Sequence, residues 1–279
     1  MRRIWQSIRS NSMAMAGLII TSLFLLSIVL GPILIPHSLT ATAYDRILEA
    51  PSLAHPFGTD SYGRDVLVRV LYGARISLGI SITGVTLAAV LGTLIGMAAG
   101  YIGRFYDSAP MRVMDLLFAF PAFVLALFLM VILGFGVANV ALAIALVYVP
   151  IFARLARNMT VTIKSEPYVQ AARLQGQSTI RLLCRELLPN ISAPLLVQAG
   201  VGIAFGVIIE SGLSFLGLGV QPPTPSLGVI MADGQEYFRR APWVLTLTGL
   251  FVSAGLLGIN LLGDGFRDLA DPRLRKRTS

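Results

Sequence analysis

Ser165-Glu-Pro-Tyr-Val-Gln-Ala-Ala-Arg-Leu-Gln-Gly-Gln-Ser-Thr-Ile-Arg-Leu-Leu-Cys-Arg-Glu-Leu-Leu-Pro-Asn190 is polar and helix-forming, in a chain otherwise made of runs long and apolar enough to cross a bilayer. Ser165 offers a helix cap, Pro167 falls in a first turn where its missing N–H costs nothing, and Gly176 interrupts the helical run. Ser178 can cap a second helix. In it Ile180, Leu183, Cys184, Leu187 and Leu188 recur at helical spacing as one apolar stripe, with Arg181 and Arg185 pointing elsewhere, and Pro189 is expected to end it. The spacing predicts two short amphipathic helices joined by a hinge. Such a connector either lies on the lipid surface or meets a soluble partner.

Composition sets the class around this stretch. Of the 279 residues 55% are hydrophobic and 13% charged, and the mean hydropathy is +0.76, so there is too little polar surface for a water-soluble globule of this size. The expectation is an all-α polytopic membrane protein in contact with the lipid bilayer. The basic balance, +8 at neutral pH, does not point to nucleic acid, because the basic residues cluster in short loops between apolar spans rather than on a folded polar face. The one cysteine, Cys184, has no second thiol or metal-ligand neighbour and lies on the apolar stripe, which predicts a buried, inert thiol.

Six spans follow in order. Arg2, Arg3 and Arg9 precede an apolar core over 13–35, longer than the roughly 7 to 15 residues of a cleaved signal and matched to the ~20 needed to cross, so an uncleaved anchor is expected. Residues 36–75 are polar, with Gly58-Thr-Asp60-Ser-Tyr-Gly63-Arg-Asp65 as a structural turn without the carboxylate spacing of a calcium loop. A short helix striped by Val66, Leu67, Val70 and Leu71 comes next. The second span covers 76–102 and repeats glycine at Gly92, Gly96 and Gly100, a pattern that lets helix backbones approach closely in lipid. A short loop over 101–115 leads to an uncharged run over 116–153, about 57 Å as one helix and so about twice the hydrocarbon thickness. It must fold back, and Gly134-Phe-Gly136 is the expected hairpin, with kinks or helix ends at Pro121 and Pro150. The fifth span covers 191–212, an irregular Gly/Pro-rich segment 213–233, and the sixth 243–263, before a basic tail with Arg273, Arg275, Lys276 and Arg277.

Placing both termini, the 101–115 loop and the stretch from Arg154 to Asn190 on one side gathers 16 of the 22 Lys and Arg there. The positive-inside rule makes that side cytoplasmic. Glu210 belongs to neither side. It sits at the outer end of the fifth span, where an ionised group is costly, and it fits three roles: a translocation path, a structural hydrogen bond to the following loop, or interfacial exposure. Chemistry of other kinds finds no residues. There is no phosphate loop, since neither Lys164 nor Lys276 follows a glycine, and His37 and His55 lie in the outer loop with no nucleophile or metal box, so the chain is not expected to be an enzyme or to bind a cofactor.

Gln170-Ala171-Ala172, Gly176 and Leu188-Pro189 resemble the cytoplasmic "EAA" loop of bacterial ABC importer permeases. Gln170 stands where glutamate is usual, and Glu186 where an apolar residue is common. Three further stretches, 56–78, 210–228 and 260–273, look like the C-type permease subunit of the dipeptide, oligopeptide and nickel systems, so the likeness runs from the first helix to Arg273. The resemblance implies a type I ABC importer permease fold. Residues 1–35 would be the cytoplasmic tail and first helix, 36–71 a periplasmic loop and short helix, 72–264 the transport core with its coupling loop at 165–190, and 265–279 a cytoplasmic tail. It implies that Glu166, Gln170, Ala171, Ala172, Gly176, Leu188 and Pro189 couple to separate ATPase subunits that use the ATP. A homologous second permease and an extracytoplasmic solute-binding protein complete the implied assembly in the inner membrane. Di- or oligopeptides are the implied cargo, with nickel, glutathione and opine-like solutes as alternatives. An ion-coupled secondary transporter is a poorer fit, because the spans hold one ionisable side chain and no relay.

Overall fold

The computed structural model describes residues 12–34 and 42–270. Arg2, Arg3, Arg9, His37 and the basic residues of the C-terminal tail lie outside the described residues. The described chain is helical with no extended sheet: α1 Ser12–Leu34, α2 Val66–Ile102, α3 Phe105–Phe118, α4 Ala122–Leu133, α5 Val137–Ile163, α6 Pro167–Leu174, α7 Thr179–Leu182, α8 Leu188–Phe215, α9 Leu227–Glu236 and α10 Pro242–Ala270. Among the described residues five helices are long and apolar enough to cross a membrane, and the count reaches the expected six where the bent pair α3–α4 is taken as one span.

Several boundaries differ from the expectation, each for a physical reason. The short helix at 66–71 and the second span are one helix of 37 residues. No residue between Leu71 and Ile76 breaks the helix, and Arg69 is neutralised where it stands by Asp60 at 3.1 Å and Asp233 at 3.6 Å. At about 55 Å this helix outruns the hydrocarbon, so its first turns stand beyond it. The expected loop over 101–115 is mostly α3, entered through a sharp reversal at Gly103 and Arg104, both at positive φ. The third span is broken: α3 and α4 meet at 96° across Ala119–Pro121. Pro121, with no N–H and a fixed φ, serves as the cap of α4. Pro150 neither ends nor interrupts α5, which runs on to Ile163. Gly134 and Gly136 do make the hairpin, at φ +79 and +127, and the Asn139 amide donates to the Leu133 carbonyl at 2.7 Å to close it.

The core is the parallel packing of α2 on α5, and the glycine repeat is its contact line. A Cβ on Gly92, Gly96 or Gly100 would lie 2.6, 2.1 or 2.7 Å from the carbonyl oxygens of Val149, Ala153 and Arg157. Backbones this close leave room for no side chain, as small-residue packing in lipid requires. Ile144, Phe152, Ala153 and Ala156 are completely buried beside that line. The outer ring is α1 on α10, where Phe24 meets Phe251 with ring centroids 5.1 Å apart and Gly258 makes room for Ile20.

The polar loop before α2 is a hydrogen-bonded turn, as expected. The Asp60 carboxylate accepts from the Tyr62 and Arg64 amides at 2.8 and 3.0 Å and from both the Arg64 and Arg69 guanidiniums. Asp65 caps α2 by accepting from the Val68 amide at 3.0 Å and also meets His55 Nδ1 at 2.7 Å.

Candidate functional site

Residues 165–190 form a bent arm at the end of the bundle where α5 finishes and α8 begins. Pro167 starts α6, with Glu166 rather than Ser165 as its cap residue, while the Ser165 hydroxyl turns back to donate to the Thr162 carbonyl. After Leu174 the chain bends at Gly176, which has φ +78 and open space around it, so a side chain there is penalised by the backbone rather than by a neighbour. Ser178 then stands at the cap position of α7, where its hydroxyl makes no capping bond.

Pro189 does not end the second helix. Leu183–Leu187 forms a π-turn that carries the helix into α8, and Pro189 falls in the first turn of α8 where it needs no donor. The helical run from Thr179 to Phe215 is therefore a single 37-residue element joining the arm to the opposite end of the bundle.

The expected coupling residues divide by face. Val169 and Ala172 are buried against the bundle, whereas Glu166, Gln170, Ala171 and Gly176 are exposed. The Gln170 amide donates to the Lys164 carbonyl at 2.8 Å, a bond that the glutamate usual in the resembled family has no proton to make when ionised. Two residues absent from the expected set are the most prominent: Leu174 is 89% exposed and Ile180 75% exposed, one on each side of the Gly176 bend. The arm thus presents exposed apolar side chains on both sides of its bend. Their position astride the glycine was the available signal, hidden because Ile180 also fits the apolar stripe.

That stripe is not buried. Leu187 is enclosed, but Cys184 is exposed and, with Ile180, Leu183 and Leu188, lines an apolar groove of about 630 Å³ against Val90 and Leu94 of α2. Leu188 thus faces the groove rather than the outer surface of the arm.

Ion pairs brace the base of the arm. Arg157 on α5 makes a two-pronged contact with Asp107 on α3, both prongs at 2.5 Å, and Arg154 pairs with Asp115 while its guanidinium lies 4.1 Å over the Phe118 ring. Lys164 donates to the Gly100 carbonyl at 2.6 Å, tying the end of α5 to the end of α2. The elements that carry the arm are therefore cross-linked at its base.

At the far end of α8, Glu210 is fully enclosed. The Ser214 hydroxyl donates to its carboxylate at 2.8 Å and Ser211 at 3.3 Å, and Ser77 and Ser226 face the same group. Ser214 also accepts from the Val220 amide at 3.0 Å. The enclosure of Glu210 rules out interfacial exposure among the three roles open to it, and these bonds tie it to the segment that follows α8. That segment is irregular only to Ser226, since Leu227 to Glu236 is α9. Among the described residues no cluster of side chains suited to a metal is present.

Comparison with known proteins places these features. A family model described as binding-protein-dependent transport system inner membrane component matches residues 92–276, and one described as the N-terminal TM domain of oligopeptide transport permease C matches 1–51. The chain is 38% identical over 274 residues to a dipeptide transport system permease protein, DppC, of Alkalihalophilus pseudofirmus, covering 98% of this chain and 90% of that one. It is 42% identical to a putative peptide transport system permease protein of Brucella suis, covering 93% and 87% of the two chains. It is 41% identical to a glutathione transport system permease protein, GsiD, of Pectobacterium atrosepticum, covering 83% and 77%. In fold it resembles an inward facing form of the MetNI methionine ABC transporter, with a TM-score of 0.56 at 18% identity, over 74% of this chain and 97% of that one.

Proposed function

This chain belongs to the family of binding-protein-dependent transport system inner membrane components, and from that premise we propose that it is the permease subunit of an ATP-driven peptide importer in the bacterial inner membrane. The observation that carries the reading is the bent arm, which holds Leu174 and Ile180 out from a base braced to α2, α3 and α5. It has the form of a transmission element and the chain has no phosphate loop of its own. The partners that follow are a homologous second permease, two ATPase subunits that bind the ATP, and an extracytoplasmic solute-binding protein. Both termini and the arm face the cytoplasm, by the positive-inside rule. The work is a two-state switch. Nucleotide closes the ATPase pair, the arm at 166–189 moves with it, and the helical bundle alternates between inward-open and outward-open arrangements.

Peptide is the cargo best supported, because the relatives named for it match along nearly the whole chain. Glutathione, itself a short peptide, is favoured as a second reading by the 41% identical relative. The test is uptake of radiolabelled dipeptide into proteoliposomes holding the complete assembly, with glutathione as competitor. Accumulation that needs ATP and both ATPase subunits is the expected result. Accumulation without an ATPase subunit overturns the proposal. Orientation is read separately from a Gln175→Cys variant in a Cys184→Ser background: an impermeant maleimide should label it in inverted vesicles only, and labelling in intact cells would reverse the assigned topology.

A further inference from the structure

We infer that Glu210 is the positioning residue through which the coupling arm moves the outer helix α9. The inference rests on the importer reading above.

Three observations carry it. The helical run Thr179–Phe215 is continuous, so the arm and Glu210 sit on one element about 47 Å apart along its axis. The π-turn at Leu183–Leu187 and Pro194 lie near its arm end, and beyond them α8 continues unbroken to Phe215, so a displacement carried into α8 arrives at residue 210.

Second, Glu210 is the junction of that helix with two other elements. Its carboxylate is faced by Ser211 and Ser214 of α8, Ser77 of α2 and Ser226, the cap of α9. Ser214 and Ser211 donate to it at 2.8 and 3.3 Å, within the roughly four hydrogen bonds a carboxylate accepts. Each of the three hydroxyls reaching beyond the helix also accepts a backbone amide from the outer segment: Val220 onto Ser214 at 3.0 Å, Leu227 onto Ser77 at 3.2 Å, Val229 onto Ser226 at 3.4 Å. The carboxylate thus orients the hydroxyls that fix the loop after α8 and the first turn of α9.

Third, α8 touches α9 directly beside this junction. A Cβ on Gly228 would stand 2.1 Å from the Ser211 carbonyl oxygen, and one on Gly219 would stand 2.2 Å from the Ser214 hydroxyl. Contact this close gives α9 no slack, so α9 must follow α8 while the serine cluster is intact. Without the carboxylate the hydroxyls lose their common partner and the two elements can slip.

The experiment uses the complete reconstituted transporter with its binding protein. A Gln235→Cys label at the exposed end of α9, in a Cys184→Ser background, reports on the outer helix through its maleimide labelling rate in apo and vanadate-trapped states. In the parent the rate should change severalfold on trapping. In Glu210→Ala that change should vanish and stimulation of ATP hydrolysis by the binding protein should fall to near onefold, with basal hydrolysis within about twofold of the parent. Ser226→Gly removes only the α9 arm of the cluster, and glycine still serves as a cap at little cost, so it should behave like Glu210→Ala. Ser211→Ala removes a hydroxyl on the same helix and should leave both readouts unchanged.

The inference is overturned if trapping still changes labelling in Glu210→Ala, or if Ser211→Ala is as damaging as Ser226→Gly, since the cluster would then serve stability alone. Should Glu210→Ala fail to assemble, the two serine variants decide. If the parent itself shows no ATP-dependent uptake, the importer reading fails instead, and the two failures are distinguished by the parent's own result.

Discussion

Gly96 of α2 lies so close to Ala153 of α5 that a Cβ on the glycine would stand 2.1 Å from the alanine carbonyl oxygen. Neither backbone can yield without shifting a helix, so Gly96→Ala should cost about 3 kcal/mol or more, at the upper end of overpacking penalties. Gly79, on the same helix, is the control, because a Cβ there would meet nothing within 4 Å. At that site alanine should be neutral or stabilise by up to about 1 kcal/mol through helix propensity. Thermal unfolding of the detergent-solubilised protein checks both, and equal effects at the two sites would remove the basis for the α2–α5 contact.

The Asp107–Arg157 pair is open to a charge swap. Arg157 holds both oxygens of the carboxylate at 2.5 Å, and each side chain is a third or less exposed. Asp107→Arg or Arg157→Asp alone puts like charges together and should lower the yield of folded protein. The double swap should recover part of the loss, with a coupling energy of about 1 kcal/mol. Additive losses would show that the pair does not bind α3 to α5.

Asp233 lies on α9, outside the spans, and burial pushes its carboxyl up to about 6. The Arg64 charge pulls against that shift, and Asp60 and Glu236 add to it. A carboxyl raised in the folded state binds its proton more tightly there than when unfolded. Its contribution to stability is therefore full below about pH 4 and is lost as pH rises through about 6. Asp233→Asn should flatten the dependence of Tm on pH across that window. A profile unchanged by the substitution would place the titration elsewhere.

The sequence made the six spans, the glycine contact line and the Gly176 hinge legible, because each depends on local pattern: apolar length, small-residue period, or a residue that tolerates positive φ. The break in the third span was hidden because hydropathy measures length and not direction, and α3 with α4 passes as one run. The exposure of Cys184 is hidden for a different reason. An apolar stripe implies burial where the surroundings are water, but beside a bilayer the surface is itself apolar, and the stripe faces outward into a groove. Proline usually ends a helix, and only the π-turn before Pro189 shows that a new first turn begins there.

The adjacent alanines show what only tertiary packing decides, and they give the sharpest test of the arm. Ala171 is exposed, while Ala172 is 8% exposed and set against the bundle, so a charge at 172 breaks packing before it can report on docking. Leu174 is the better probe. At 89% exposure it contributes little to the fold, and Leu174→Ala should change stability by no more than about 0.5 kcal/mol. If Leu174 fills a pocket on the ATPase subunit, its loss removes an anchor worth about 2 kcal/mol, roughly a thirtyfold weakening. Retention of the ATPase subunits on immobilised permease should fall accordingly, with uptake falling in parallel. Ala172→Glu should instead lower the amount of folded protein in the membrane. Full retention by Leu174→Ala and by Ile180→Ala together would mean that the exposed apolar pair is not what the motor holds.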